Sequence, residues 1–119
     1  MARDAPSIDA YGGGGFRVAG VWRPGSLLIV ADQPRDWRPT RLDEVTMADF
    51  AEVTALEKGA VEFVLLGTGS AQALPPRSVR DGLALAGLGL EFMASEGAAR
   101  LHNVLASQGR LFATALLAI

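Results

Sequence analysis

Apolar positions along the chain follow two rhythms, the alternation of strands and the three-to-four spacing of helices. Ile8 to Tyr11 reads as a short extended start, followed by the glycine tract Gly12 to Gly15. Phe16, Val18 and Trp22 share one parity, which predicts a strand from Phe16 to Trp22 with these side chains on one face. Arg23-Pro24-Gly25-Ser26 has the proline–glycine centre of a type II turn, and Leu27 to Ala31 returns as the second strand of a β-hairpin. Asp32 to Pro39 carries turn residues around Trp37 and reads as an edge segment.

The rhythm then changes. Thr46 followed by Asp49 forms a shortened capping box, with Val45 and Phe50 at the staple positions and Met47, Phe50 and Val53 facing the core. Gly59 is the expected stop of this first helix. Val61 to Leu66 is apolar except for Glu62, the pattern of a strand covered on both faces, and it runs into Gly67-Thr68-Gly69-Ser70. Pro75 and Pro76 introduce a second helix with Val79, Leu83 and Ala86 on one side and Gly87 at its end. Leu88 to Met93 reads as a strand with Leu88, Leu90 and Phe92 together on one face. Ser95 is the expected cap of a third helix, Glu96 to Gln108, in which Ala98, Leu101, Val104 and Leu105 form the apolar arc. Glu96, Arg100, Asn103 and Ser107 form the polar arc, and Gly109 follows the helix. Leu111 to Ile119 is a final strand apolar enough for the middle of a sheet. Strands alternating with helices favour right-handed crossovers and a partly parallel sheet.

Composition narrows the class. The 119 residues suit one domain, with residues 1–7 as a tail, and 50% are hydrophobic, which is enough for a core without staples. A net charge of −2 without a basic block gives nucleic acid no electrostatic footprint. No cysteine is present, so disulfides, thiolate nucleophiles and iron–sulfur clusters are excluded. MARDAPSIDA lacks the apolar core of a signal peptide, and the longest apolar run is far below the ~20 residues of a bilayer span. A soluble cytoplasmic protein without direct membrane insertion is the expectation.

The candidate chemistry is sparse. Gly67, Thr68, Gly69 and Ser70 follow a strand, but Gln72 stands where a dinucleotide loop has its third glycine, and the prolines keep a helix from starting at once. The loop still lies where open α/β sheets place ligands. Gly12 to Gly15 lacks the Lys-Ser/Thr of a phosphate loop and reads as a flexible turn or a bulge. His102 is the only histidine, and nothing in the sequence brings Ser70 or Ser95 to it, so it reads as a packed side chain rather than a base. One histidine and dispersed carboxylates make no metal site, and no cofactor is expected. Arg100, Asn103 and Arg110 are read in two ways: a solvated face with a charge suited to a helix end, or a holder for a carboxylate or anion. Trp22 and Trp37 are either interface anchors or packed rings.

Glu62 to Arg110 resembles the domain-of-unknown-function 498 family. The resemblance rests on LLGTG at Leu65 to Gly69, Pro75, the glycine–strand–methionine run Gly89 to Met93, Ala98-Ala99-Arg100, Asn103-Val104-Leu105 and Gly109-Arg110. IDAYGGGGF and RPGSLLI extend it over the front half. The chain departs from the family pattern at Ala94, Ala99, Leu101, His102 and Gln108, where the family favours aspartate, cysteine, threonine, an aromatic ring and glutamate. The resemblance implies a three-layer α/β fold with a central mixed sheet and no established enzyme activity. The family includes the mitochondrial NADH:ubiquinone oxidoreductase complex assembly factor 3, which implies a role in protein binding.

Two functions follow as expectations. The first is a non-catalytic accessory or assembly-factor-like protein that binds a protein partner during assembly of a respiratory membrane complex, with self-association left open. The second is a small-molecule or anion site, or an enzyme, built from Gly67 to Ser70, Met93, Ser95, Arg100, Asn103 and Arg110.

Overall fold

The computed structural model describes residues 5–119. Three short strands come first: β1 (Ile8–Gly12), β2 (Gly15–Val18) and β3 (Val21–Pro24), paired antiparallel as β1-β2-β3. A second sheet holds β4 (Ser26–Val30), β5 (Gln33–Trp37), β6 (Phe63–Gly67), β7 (Gly89–Met93) and β8 (Phe112–Leu116) in the order β5-β4-β8-β6-β7. It is mixed: β6 runs parallel to β7 and β8, and β4 runs antiparallel to β5 and β8. The three α-helices are α1 (Ala51–Thr54), α2 (Arg77–Leu85) and α3 (Ser95–Ser107).

The antiparallel connections share one local cause. Gly13-Gly14, Ala19-Gly20 and Ala31-Asp32 are two-residue turns in which both positions have positive φ: +64 and +89, +49 and +81, +52 and +62. This is the turn whose twist matches paired strands. The turn at Ala19-Gly20 overturns the hairpin expected from Phe16 to Ala31. The chain reverses there, so Phe16 to Trp22 is not one strand, and Arg23 to Ser26 carries the chain from one sheet to the other, with Gly25 at φ +86. Trp22 pairs with Arg17 and shares its face, and it is 48% exposed instead of lying with Phe16 in the core.

Strand parity divides the large sheet into two cores. Leu27, Ile29, Phe63, Leu65, Phe112 and Leu116 face α3 and the three-stranded sheet. Leu28, Val30, Val64, Leu66, Ala113, Ala115 and Leu117 face α1, α2 and the segment before them. Three layers result, and every residue of β6 and β8 is buried, as their continuous apolar runs require. β8 holds the middle of the sheet.

The first helix is shorter than its pattern suggests. Thr46 N donates to Asp49 Oδ2 at 2.9 Å, so the capping box forms, but the first turn is a 3₁₀ turn and α1 stops at Thr54. After Val53 no fully buried side chain anchors the segment before Phe63, and a helix of one turn cannot extend without such an anchor. Arg38 grips the Asp49 carboxylate through Nε and Nη2, both at 2.8 Å, and holds its pKa below the ordinary value. In the tail expected over residues 1–7, residues 1–4 lie outside the described residues. The Pro6 carbonyl accepts from His102, and the Ser7 carbonyl accepts from Ala19 N at 2.9 Å.

A left-handed alanine is strained by roughly 1–2 kcal/mol. Ala31→Gly is therefore expected to stabilise the protein by about 0.5–1 kcal/mol after the larger entropy of glycine in the unfolded chain is counted. Urea unfolding measures this, and a loss of stability would mean that the turn does not hold this conformation.

Candidate functional site

β6, β7 and β8 end side by side. The chain leaves β6 for α2 on one face of the sheet and leaves β7 for α3 on the other. Such a switch between adjacent strand ends is where open α/β sheets hold ligands. In this chain the first turn of α3 occupies the place. The Ser95 side chain is fully buried; its Oγ donates to the Leu117 carbonyl at 2.7 Å and accepts from Gly69 N at 2.9 Å. Ser95 N donates to Gly69 O and Thr68 N to Met93 O, both at 2.8 Å, and Leu117 N donates to Gly67 O at 3.0 Å. Thr68 Oγ1 lies 2.7 Å from Ala71 O, to which it donates.

Gly67 is required by this contact. A Cβ there would stand 2.7 Å from Ser95 Oγ and 2.8 Å from Leu116 Cδ2. The positive φ belongs to Gly69, at +101. Gly67, Thr68, Gly69, Met93 and Ser95 are thus brought together and bonded to one another, while Ser70 is exposed beside them.

Ser95 is not the cap that its position suggested. It is the first residue of α3, and Ala94 holds the cap position without a side-chain bond. The buried face of α3 is also rotated from the expected arc: Ser95, Ala98, Ala99, His102, Leu105 and Ala106 are buried, and Val104 is 50% exposed. Polar side chains with internal partners occupy positions that hydrophobic spacing alone does not assign.

His102 is one of these. Nε2 lies 2.9 Å from the Pro6 carbonyl and Nδ1 lies 2.7 Å from Thr114 Oγ1. A carbonyl only accepts, so Nε2 carries a proton, and in the neutral ring Nδ1 accepts from the Thr114 hydroxyl. The ring meets Phe112 edge-on at 5.4 Å, and a packed histidine is what the sequence predicts.

The remaining candidates stand apart from the strand ends. Asn103 faces β1: Oδ1 accepts from Ile8 N at 2.8 Å and Nδ2 donates to Ile8 O at 2.9 Å, so the amide acts as one link of a missing strand. Arg100 Nη2 donates to Tyr11 OH at 2.8 Å and to Glu96, and Tyr11 OH donates to Glu96 Oε1 at 2.9 Å. The i, i+4 pairing of Glu96 with Arg100 is legible on the polar arc, whereas Tyr11 comes from a distant strand and leaves no local signal. Arg110 Cζ lies 5.3 Å from the Phe63 ring centroid, at the far end of α3 from Ser95, about 20 Å away by helical rise. Trp37 is buried, with Nε1 donating to Asp49 O at 2.9 Å, which leaves Trp22 as the exposed tryptophan. Among the described residues, no group of three or more His, Asp or Glu could hold a metal ion, and no helix is long and apolar enough to cross a membrane.

A mixed five-stranded sheet between two helical faces, flanked by a small antiparallel sheet and closed at its strand ends, defines a small α/β scaffold class. The chain belongs to the family of proteins of unknown function DUF498/DUF598, whose model matches residues 8–117. It is 40% identical over 110 residues to an uncharacterized protein of Rhodobacter capsulatus, covering 92% of this chain and 82% of the relative. The crystal structure of an outer membrane protein from Bartonella henselae superposes with a TM-score of 0.86 at 31% identity, over 99% of this chain and 98% of that one. A Bordetella pertussis protein described as an Mth938-like domain superposes with a TM-score of 0.72 at 29% identity, over 94% and 85%.

Two outcomes test these assignments. Ala94→Asp supplies the missing cap of α3 and is expected to stabilise the protein by about 1 kcal/mol in thermal or urea unfolding. His102→Phe leaves the Thr114 hydroxyl without its ring partner and is expected to destabilise by about 1–3 kcal/mol. His102→Phe with Thr114→Val should recover much of that loss, and a double variant as weak as the single one would contradict the pairing.

Proposed function

We propose that this protein is a non-catalytic accessory factor that acts in the cytoplasm by binding another protein during assembly of a respiratory membrane complex. The observation that carries the reading is Trp22. It is 48% exposed on the edge strand β3. A Cβ on Gly15 would lie 2.9 Å from Trp22 Cζ2, so the ring is laid over its own sheet. A large ring already held in place loses little freedom on binding, which is the character of an interface anchor.

The resemblance to a family that includes the mitochondrial assembly factor supports this direction, and the Bartonella relative is described as an outer membrane protein. The internal bonds of Ser95, His102, Asn103 and Thr114 fit a scaffold better than a reactive centre. A small-molecule or anion site at Gly67 to Ser70 is the less favoured reading, because that loop and α3 bond to each other. Of the candidate set, the exposed Arg100 beside Tyr11 and Glu96 and the exposed Arg110 past the end of α3 are the charged groups that a partner would meet.

The test is affinity capture with the full chain from native membranes and from cytosol. Defined subunits of a respiratory complex should be recovered, and recovery should fall roughly tenfold or more with Trp22→Ala. Recovery of no stable partner in either fraction, or unchanged recovery with a folded Trp22→Ala variant, would count against the reading.

A further inference from the structure

We propose that the outer edge of β7 is a docking strand for an extended partner segment with a basic residue opposite Glu91. This deepens, and rests on, the protein-binding reading, but it names a surface that does not involve Trp22.

The two edges of the five-stranded sheet are built differently. β5 carries Pro34, Arg35 and Asp36, and Arg35 is tied to Glu52 at 2.7 Å. Proline and charges are how an edge is kept from pairing. β7 reads Gly-Leu-Glu-Phe-Met, with no proline and one charge, and β6 is its neighbour on one side only.

The backbone of β7 shows what remains open. Gly89 N donates to Glu62 O at 3.0 Å, and Met93 O accepts from Thr68 N at 2.8 Å. In a parallel ladder alternate residues bond to a given neighbour, so Gly89, Glu91 and Met93 face β6. Leu90 and Phe92 therefore direct both their N–H and C=O groups outward. Glu91 is in register with Leu65, on the α3 face of the sheet, while Leu90 and Phe92 pack toward α2. A groove of about 290 Å³ runs beside the strand on the α3 face, lined by Phe63, Glu91, Leu101, Leu105 and Arg110 among others. An open strand beside a groove is the arrangement of β-strand addition, in which backbone bonds supply affinity and alternate side chains supply choice.

Glu91 selects the occupant. A second copy of β7, antiparallel and bonded to both Leu90 and Phe92, would set the two Glu91 side chains opposite each other at a non-hydrogen-bonded pair. Cα atoms there are about 4.5 Å apart, and like charges oppose pairing. A lysine or arginine at the same place gains an opposite-charge pair. Arg110, the other charge in the groove, lies over Phe63, whose register partner Gly89 is two residues before Glu91.

The probes are two capped nonapeptides of alternating valine and threonine, one with lysine and one with glutamate at the centre. Each is titrated into the isotope-labelled full chain and followed by amide NMR. Shifts should centre on Leu90, Phe92 and the neighbouring groove, with the lysine peptide bound about fivefold more tightly. Glu91→Lys, an exposed substitution whose own spectrum reports its fold, should reverse that order. Shifts elsewhere, no shift at millimolar peptide, or an order unchanged by Glu91→Lys would overturn the proposal. If capture recovers a partner while the peptides fail, the edge assignment falls and the protein-binding reading stands. If the peptides bind β7 while capture recovers nothing, the reading falls and the edge geometry stands.

Discussion

The missing side chain of Gly67 is the constraint on which the architecture turns. It lets the first turn of α3 approach the strand ends until Ser95 is fully buried, with its hydroxyl bonded to Leu117 and to Gly69. That one group links the end of β8, the loop after β6 and the start of the crossover helix. Any Cβ at Gly67 would meet the Ser95 hydroxyl, the Leu116 side chain and, at 2.9 Å, the Ser95 backbone together. The contact packs the start of α3 against the ends of β6 and β8.

The same contact changes what the fold offers chemically. A doubly crossed sheet ordinarily has a crevice between the strand ends where its connections part. Here the crevice is filled by the protein's own serine, and its polar atoms have partners within the chain. The buried polar groups nearby behave alike: His102 joins Thr114 to Pro6, and Asn103 completes the edge of β1. What stays open lies elsewhere: an exposed ring on the small sheet and the outer edge of β7 on the large one.

Much of this was legible in the sequence where the signal is continuous. The apolar runs of β6 and β8, the paired prolines before α2 and the Thr46–Asp49 box need no distant partner to be read. The first hairpin takes another course because one turn places alanine where glycine or asparagine normally marks positive φ. Ala19 looks like a strand residue, so the reversal vanishes into the flanking apolar pattern. The face of α3 departs from the expected arc for a different reason. Ser95 is buried because Leu117 and Gly69 satisfy its hydroxyl, and no spacing rule carries that information. The candidate site suffered likewise: its residues share one half of the chain, yet α3 separates Arg110 from Ser95 by its whole length.

The order of strands in the sheet also bears on how the protein is made. β8, the sheet's middle strand, follows the sheet's other four strands in sequence, and it joins Leu27 to residues such as Leu116 that are synthesised long after it. The local hairpins of the first third can form as they emerge. Until β8 is available, however, nothing in the sheet order joins β5-β4 to β6-β7. Closure is a single late, long-range event, the kind that topology makes slow. A nascent chain lacking β8 would leave the facing edges of β4 and β6 without their shared neighbour.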